Sequence, residues 1–292
     1  MKVACWNVNS IRTRYPLVID FLHRNDIDVL LMQETKCRDE QFPLEAFATA
    51  GYDLAHFGLN QWNGVGIASR FPLKDIEQGF HGMPGFSKDP AAEEALEARS
   101  ISATVEGYRV CSVYVPNGRG VGDPHFTYKL KWLRALGVAF GDYFASPEAL
   151  PYLVGGDFNV APVDSDVGDP WFLQPGTTHT SVPEREALEH FSATAKVADL
   201  VRPLVPEGYT FWDYKQGKFA RDQGLRIDFL YGSVECVERL GGAKIHREER
   251  SLESPSDHVP LSVELQTTLD EGDDRPMVFL LTPTQNRANS AV

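Results

Sequence analysis

Val29-Leu30-Leu31-Met32-Gln33-Glu34-Thr35-Lys36 sets the pattern for the chain. A short apolar run ends in a carboxylate, as when a buried strand presents an acid at the rim of its sheet. Strand-like runs of this length recur from Lys2 to Val8, Asp28 to Gln33, Gly64 to Ser69, Ile101 to Val105, Val110 to Val115, Tyr152 to Gly155, Ile227 to Tyr231 and Val259 to Glu264. Helical spacing appears from Tyr15 to Arg24, Phe126 to Phe144 and Glu184 to Thr194, with Pro16 and Pro183 placed where a first helical turn tolerates proline. The pattern predicts an α/β fold, a single sandwich of two mixed β-sheets packed face to face and flanked by helices.

With 292 residues, 42% of them hydrophobic, the chain is long enough for a sizeable core in one large domain. We expect that domain to span residues 1–265, followed by a polar tail, 266–292, which holds the apolar island Met277-Val278-Phe279-Leu280-Leu281. The tail is either loosely docked or supplies a strand or docking segment. No run approaches the roughly 20 apolar residues that span a bilayer, and the N-terminus reads as that of a mature protein. The four cysteines are too scattered for zinc-site spacing, so a cytoplasmic setting is expected. A net charge of −13 opposes generic polyanion binding, although bound cations and a local basic patch act within a Debye length of about 8 Å. Arg119, Lys129, Lys131 and Arg134 form one such segment, and Lys215, Lys218 and Arg221 another.

The polar residues that end the apolar runs carry the chemistry. Asn7 and Asn9 follow the first run and Tyr114 closes a later one; the amides suit phosphate, a carboxylate or a cation, while the tyrosine supports an oxygen or fills the core. Glu34 is either a solvated rim acid or a cation ligand. In Gly155-Gly156-Asp157-Phe158-Asn159, acid and amide lie on one side, and the glycines let backbone approach a ligand. Asp228 needs a partner if buried, and His258 of Ser256-Asp257-His258 is the natural one. Together these groups suit metal-assisted phosphodiester cleavage, in which a hard cation takes oxygen ligands and an attacking water needs a base.

Seven ordered segments carry a resemblance: Trp6-Asn7-Val8-Asn9-Ser10-Ile11-Arg12, Gln33-Glu34-Thr35-Lys36, Asn63-Gly64-Val65, Tyr114-Val115-Pro116-Asn117-Gly118, Gly156-Asp157-Phe158-Asn159, Leu225-Arg226-Ile227-Asp228 and Ser256-Asp257-His258-Val259-Pro260. In them the chain resembles the exonuclease III family of apurinic/apyrimidinic endonucleases, within the endonuclease/exonuclease/phosphatase superfamily. The resemblance implies a four-layer α/β sandwich and a Mg²⁺-dependent DNA repair phosphodiesterase, with Mn²⁺ as a substitute. It would incise duplex DNA 5′ to abasic sites and act on 3′ ends, as a monomer. By the same resemblance Glu34 is the main metal ligand, assisted by Asn9 or Asp257. Asp157 orients or deprotonates the water, Asn7 and Asn159 orient phosphate and water, Asp228 and His258 bind phosphate, and Tyr114 supports the transition state. Phe211, Leu225 and Ile227, with Trp212 beside them, match a pocket for the extrahelical abasic sugar, and Arg119 and Lys129 match positions that grip the DNA backbone. Core packing is the other reading of Phe211 and Trp212. A phosphodiesterase for lipid or inositol phosphates and a catalytically silent nucleic-acid or partner-binding regulator are the alternatives.

Overall fold

The computed structural model describes residues 1–266 except Pro90. Its strands are β1 (Lys2–Asn7), β2 (Val29–Gln33), β3 (Asp53–Phe57), β4 (Val65–Ser69), β5 (Lys74–Gln78), β6 (Ser100–Val105), β7 (Tyr108–Tyr114), β8 (Tyr152–Asp157), β9 (Ala198–Asp199), β10 (Asp228–Gly232), β11 (Leu240–Ile245) and β12 (Leu261–Leu265). They form two six-stranded sheets, ordered β11-β12-β1-β2-β4-β3 and β5-β6-β7-β8-β10-β9. Both are mixed, since β1 runs parallel to β2 and β7 parallel to β8 while the other ladders are antiparallel. The helices are α1 (Ile11–Arg24), α2 (Leu44–Thr49), α3 (Pro124–Ala145), α4 (Val182–Ala195) and α5 (Val234–Glu238).

Strict alternation along the central strands builds four layers. Val3 and Cys5 of β1 and Val29 and Leu31 of β2 face the other sheet, meeting Ile101, Val110, Leu153 and Leu230. The intervening Ala4, Trp6, Leu30 and Met32 face outward under α1 and α2, and α3 and α4 cover Cys111, Val113, Tyr152 and Val154 on the second sheet's outer face. Strands buried on both faces have no need of polar residues, which is why they read as continuous apolar runs. The Gly-Gly step of β8 has a different role from the one expected of it. A Cβ on Gly155 would lie 2.6 Å from Leu230 and 2.7 Å from Leu31, and one on Gly156 would lie 1.8 Å from the Val113 carbonyl. These glycines admit a neighbouring sheet and strand, not a ligand.

Two expectations are corrected here. Helix α1 begins at Ile11, so Pro16 lies inside it, where it removes one helical hydrogen bond; Pro183 does sit in the first turn of α4. Lys129, expected at the DNA backbone, is fully buried. Its ammonium donates to the Asn159 carbonyl at 2.6 Å, the Asn117 carbonyl at 3.1 Å and the Thr178 hydroxyl at 3.2 Å, and it pairs with Glu184 on α4. Burial alone would raise the Glu184 carboxyl, but Lys129 outweighs it and holds the group down at about 2. Residues 277–281 and the expected tail around them lie outside the described residues.

Removing the cation leaves a buried carboxylate without a partner, so Lys129→Met is expected to destabilise the fold by about 3–5 kcal/mol. Adding Glu184→Gln should recover much of that loss. Because the folded carboxyl titrates below its ordinary 4.5, its stabilisation is complete above that pH and disappears as pH falls toward 2. Urea unfolding at pH 7 and pH 3 checks both points; a double variant no better than the single one would show that the pair is not coupled.

Candidate active site

One end of the sandwich gathers the chemistry because strand direction delivers it there. Asn7, Tyr114 and Asp157 are the last residues of β1, β7 and β8, and Glu34 directly follows β2. On the antiparallel strands the same end is the entrance: Asp228 opens β10 opposite Asp157, and His258 lies on the approach to β12. Trp6 fixes that approach by donating from its indole to the His258 carbonyl at 3.1 Å.

Asn7 is the hub. Its buried amide donates to Glu34 Oε1 at 2.8 Å and Asp157 Oδ2 at 3.0 Å, joining acids from opposite sheets. His258 Nδ1 donates to Asp228 Oδ2 at 2.8 Å, which leaves Nε2 facing Asp157 Oδ2 at 3.8 Å. Burial disfavours a charged imidazole, but the Asp228 and Asp157 carboxylates outweigh it and raise His258 to about 10, so it is an imidazolium at neutral pH. Burial pushes Asp157 up to about 8 against the opposing pull of His258. Burial would also raise Glu34, but the Lys36 ammonium outweighs it and keeps Glu34 below its ordinary value. Tyr114 is raised well above 10 by burial and by Glu34, so its hydroxyl keeps its proton.

Asn159 adopts a left-handed backbone, φ 54°, held at every polar atom it offers. Its N–H donates to Asp157 Oδ1 at 2.9 Å and its side-chain amide to the Val115 carbonyl at 3.0 Å. Its Oδ1 accepts from Asn117 at 3.1 Å, and Lys129 and His179 grip its carbonyl. Arg99 does the same for Tyr114, lying 4.7 Å over the ring while donating to the Tyr114 carbonyl at 3.2 Å. Sequence reading gave Arg99, Asn117 and His179 no role, although Asn117 stands in one of the resembling segments and the charge of Arg99 at the start of an apolar strand was a second signal.

The donor set can hold a hard divalent cation. Oxygens of Glu34 and Asp157 and a nitrogen of His258 all lie within 4.8 Å of one another. A charged imidazolium cannot donate a lone pair and Asp157 is raised by burial, which leaves the Glu34 carboxylate as the oxygen donor a cation would take first, as suits an ion that keeps waters and takes one or two protein oxygens. Asn9 and Asp257, expected to assist, bond to each other at 2.9 Å and stand outside that group.

The expected sugar pocket is only partly there. Leu225 and Ile227 do cluster, with Ala161, Val167, Phe172 and Phe211 around them, but both are fully buried. Phe211 alone of the expected set keeps exposed surface, with its ring 4.9 Å from that of His258. Trp212 is core: it is fully buried, its indole points to Asp222, and Arg247 covers its ring. Arg119 is exposed on the loop after Asn117, whose side chain accepts from its N–H at 3.0 Å.

Known proteins are similar to this chain in sequence and fold. Exodeoxyribonuclease III of Haemophilus influenzae is 28% identical over 282 residues, covering 91% of this chain and 100% of that protein. The 3′ phosphatase NExo from Neisseria, solved with a product DNA hairpin, superposes with a TM-score of 0.82 at 35% identity, over 91% of this chain and 99% of that one. An AP endonuclease from Archaeoglobus fulgidus gives 0.81 at 32% identity, with 91% and 99% covered. The Endonuclease/Exonuclease/phosphatase family profile matches residues 4–258, a span that takes in every cleft residue from Asn7 to His258, and the chain belongs to that family.

Proposed function

We infer that the chain is a DNA repair nuclease, a hydrolase that uses Mg²⁺, or Mn²⁺ in its place, to cut phosphodiesters at abasic sites and 3′ ends of duplex DNA. The observation that carries this reading is the Asn7 amide bonded at once to Glu34 and Asp157, with the His258 imidazolium behind them. A regulator without activity would be expected to have lost one of these groups, and each is in place. The relatives that act on DNA ends and abasic sites cover nearly the whole chain, which favours DNA over lipid phosphates.

When bound at Glu34, the cation would supply Lewis-acid stabilisation of charge on the phosphate. The remaining steps belong to the side chains. Asp157 holds the attacking water and takes its proton on the carboxylate; a base raised toward neutral pH is well matched to that transfer. Asn7 keeps Asp157 and Glu34 facing the same point, and the His258 N–H at Nε2 offers positive charge to a non-bridging phosphate oxygen. Tyr114, protonated, donates to an oxygen of the same phosphate.

Because Leu225 and Ile227 are sealed, a sugar entering the cleft rests on the exposed part of Phe211. That geometry favours terminal nucleotides and 3′ blocking groups over a sugar drawn deep between strands, so 3′-end processing stands first and incision 5′ to abasic sites second. One chain completes the cleft, so a monomer suffices. The four cysteines are free and buried, which suits the reducing cytoplasm. Residues 1–265 form the catalytic unit of this reading.

Asp157→Asn is expected to lower the cleavage rate by about 10²- to 10⁴-fold with DNA binding retained, and near-normal cleavage would remove the base assignment. Wild-type kcat/KM should climb through neutral pH, above the range of an ordinary aspartate, because Asp157 must lose its proton. It should fall only as His258 loses its own near 10; a rate already level from pH 5 upward would contradict this. Side by side, a duplex with a 3′-phosphate end should be processed at least as fast as one with an internal abasic-site analogue. A tenfold preference for the abasic duplex would show that the Leu225–Ile227 floor opens.

A further inference from the structure

The Leu225–Ile227 floor is covered by a turn with few ties of its own. Residues 169–175, which include the short 3₁₀ helix Pro170–Leu173, lie between Gly168 and Gly176. Gly168 is fixed: its N–H donates to the Gly224 carbonyl at 2.8 Å, and an added Cβ would lie 2.7 Å from the Asp222 carbonyl. Gly176 is the freer end, with a left-handed φ of 89° and open space where a side chain would stand. Among the described residues, the backbone between them bonds only within the turn and to Thr177 and Thr180.

Two side chains tie the turn to the segment that carries Phe211 and Leu225. The Phe172 ring packs on Leu225 and Ile227 and stands 5.4 Å from the ring of His179. Asp169 pairs with Lys218 at 2.7 Å, and both side chains are largely shielded, 8% and 16% exposed. Lys218, read from the sequence as part of a basic patch, is therefore spent on this pair. Its own carbonyl accepts from the Gln223 N–H at 2.9 Å, which braces it on that segment. Asp169 also accepts from the Trp171 N–H at 3.2 Å, so one carboxylate both caps the short helix and anchors it.

We propose that residues 169–175 form a lid on the Leu225–Ile227 floor, and that Phe172 and the Asp169–Lys218 pair set the preference between 3′ ends and abasic sites. This deepens the DNA repair reading above and rests on it. With the pair made, the Phe172 ring occupies the apolar surface that a sugar without a base would need, and the substrate is left with Phe211. With the turn swung about Gly176, Leu225 and Ile227 become available to that sugar. A shielded ion pair holds such a lid well, because separating it leaves a poorly solvated charge on each side. Small changes in an apolar wall shift discrimination between substrates by about 10- to 200-fold, so one ring is enough to decide which duplex is cut faster.

The full chain, given one duplex with a 3′-phosphate end and one with an internal abasic-site analogue, tests the lid apart from the chemistry. The ratio of the two kcat/KM values cancels any general change in DNA affinity or in the cleavage step. Phe172→Ala is expected to raise the abasic-to-3′-phosphate ratio about tenfold or more. Asp169→Asn, which keeps the cap on Trp171 but removes the charge, should raise it in the same direction. The 3′-phosphate rate should stay level in both, with thermal melts confirming that each variant folds. A ratio that either variant leaves unchanged would overturn the proposal while leaving a nuclease. Cleavage of neither duplex by the wild type would overturn the nuclease reading and this inference with it.

Discussion

The distance between the two sheets governs everything at the cleft. Asn7, Glu34 and His258 arrive from the first sheet and Tyr114, Asp157 and Asp228 from the second, so the contacts that join the two halves of the site cross the sandwich. Asn7 reaches Asp157 at 3.0 Å and His258 reaches Asp228 at 2.8 Å. That spacing is set behind the site, where Gly155 lets Leu31 and Cys5 press against the strand that carries Asp157. Any side chain at Gly155 would act as a wedge, and polar contacts of hydrogen-bond length tolerate only a few tenths of an ångström.

Four carboxylates so close together can coexist only because their charges are answered locally. Asp228 and Asp157 share the His258 imidazolium, Glu34 has Lys36, and Asp257 has the Asn9 amide. Asn7 adds no charge but donates to two acids at once, which favours their ionised forms without blocking the open side. The consequence is a division of labour among identical functional groups. Glu34, at the rim, stays ionised and fit to hold a cation, while buried Asp157 is pushed toward the proton affinity of a base.

How much of this was legible in the sequence follows from burial. Every strand read from the sequence lies inside a sheet, whereas β3, β5, β9 and β11, which were not, are the four edge strands. Edge strands face water along one side, and their sequences show it: Lys74–Gln78 is exposed throughout and Leu240–Ile245 carries paired glycines. The strand-end acids and amides were legible because a polar residue that ends an apolar run has few other uses. The burial of Lys129 and of Leu225 and Ile227 was not legible for a related reason. Spacing shows that Lys129 lies on a helix, but only the position of Glu184 on a neighbouring helix explains its inward face, and only the packing of Phe172 and Val167 shows that Leu225 and Ile227 are sealed.

The two lysines of the site illustrate how depth decides what a charge can do. Lys129 is fully buried and its ammonium is shared among Glu184, Thr178 and two carbonyls, so moving it would strand a carboxylate away from water. It can serve only to fix Asn159. Lys36 is 30% exposed, and water can replace its partners at modest cost. It can therefore yield when substrate phosphate draws close. A nuclease needs both behaviours at once: a rigid frame that places the water against phosphorus, and a rim whose charge rearranges as a polyanion enters and leaves. The sandwich supplies the first from its interior and the second from the turns that end β1 and β2.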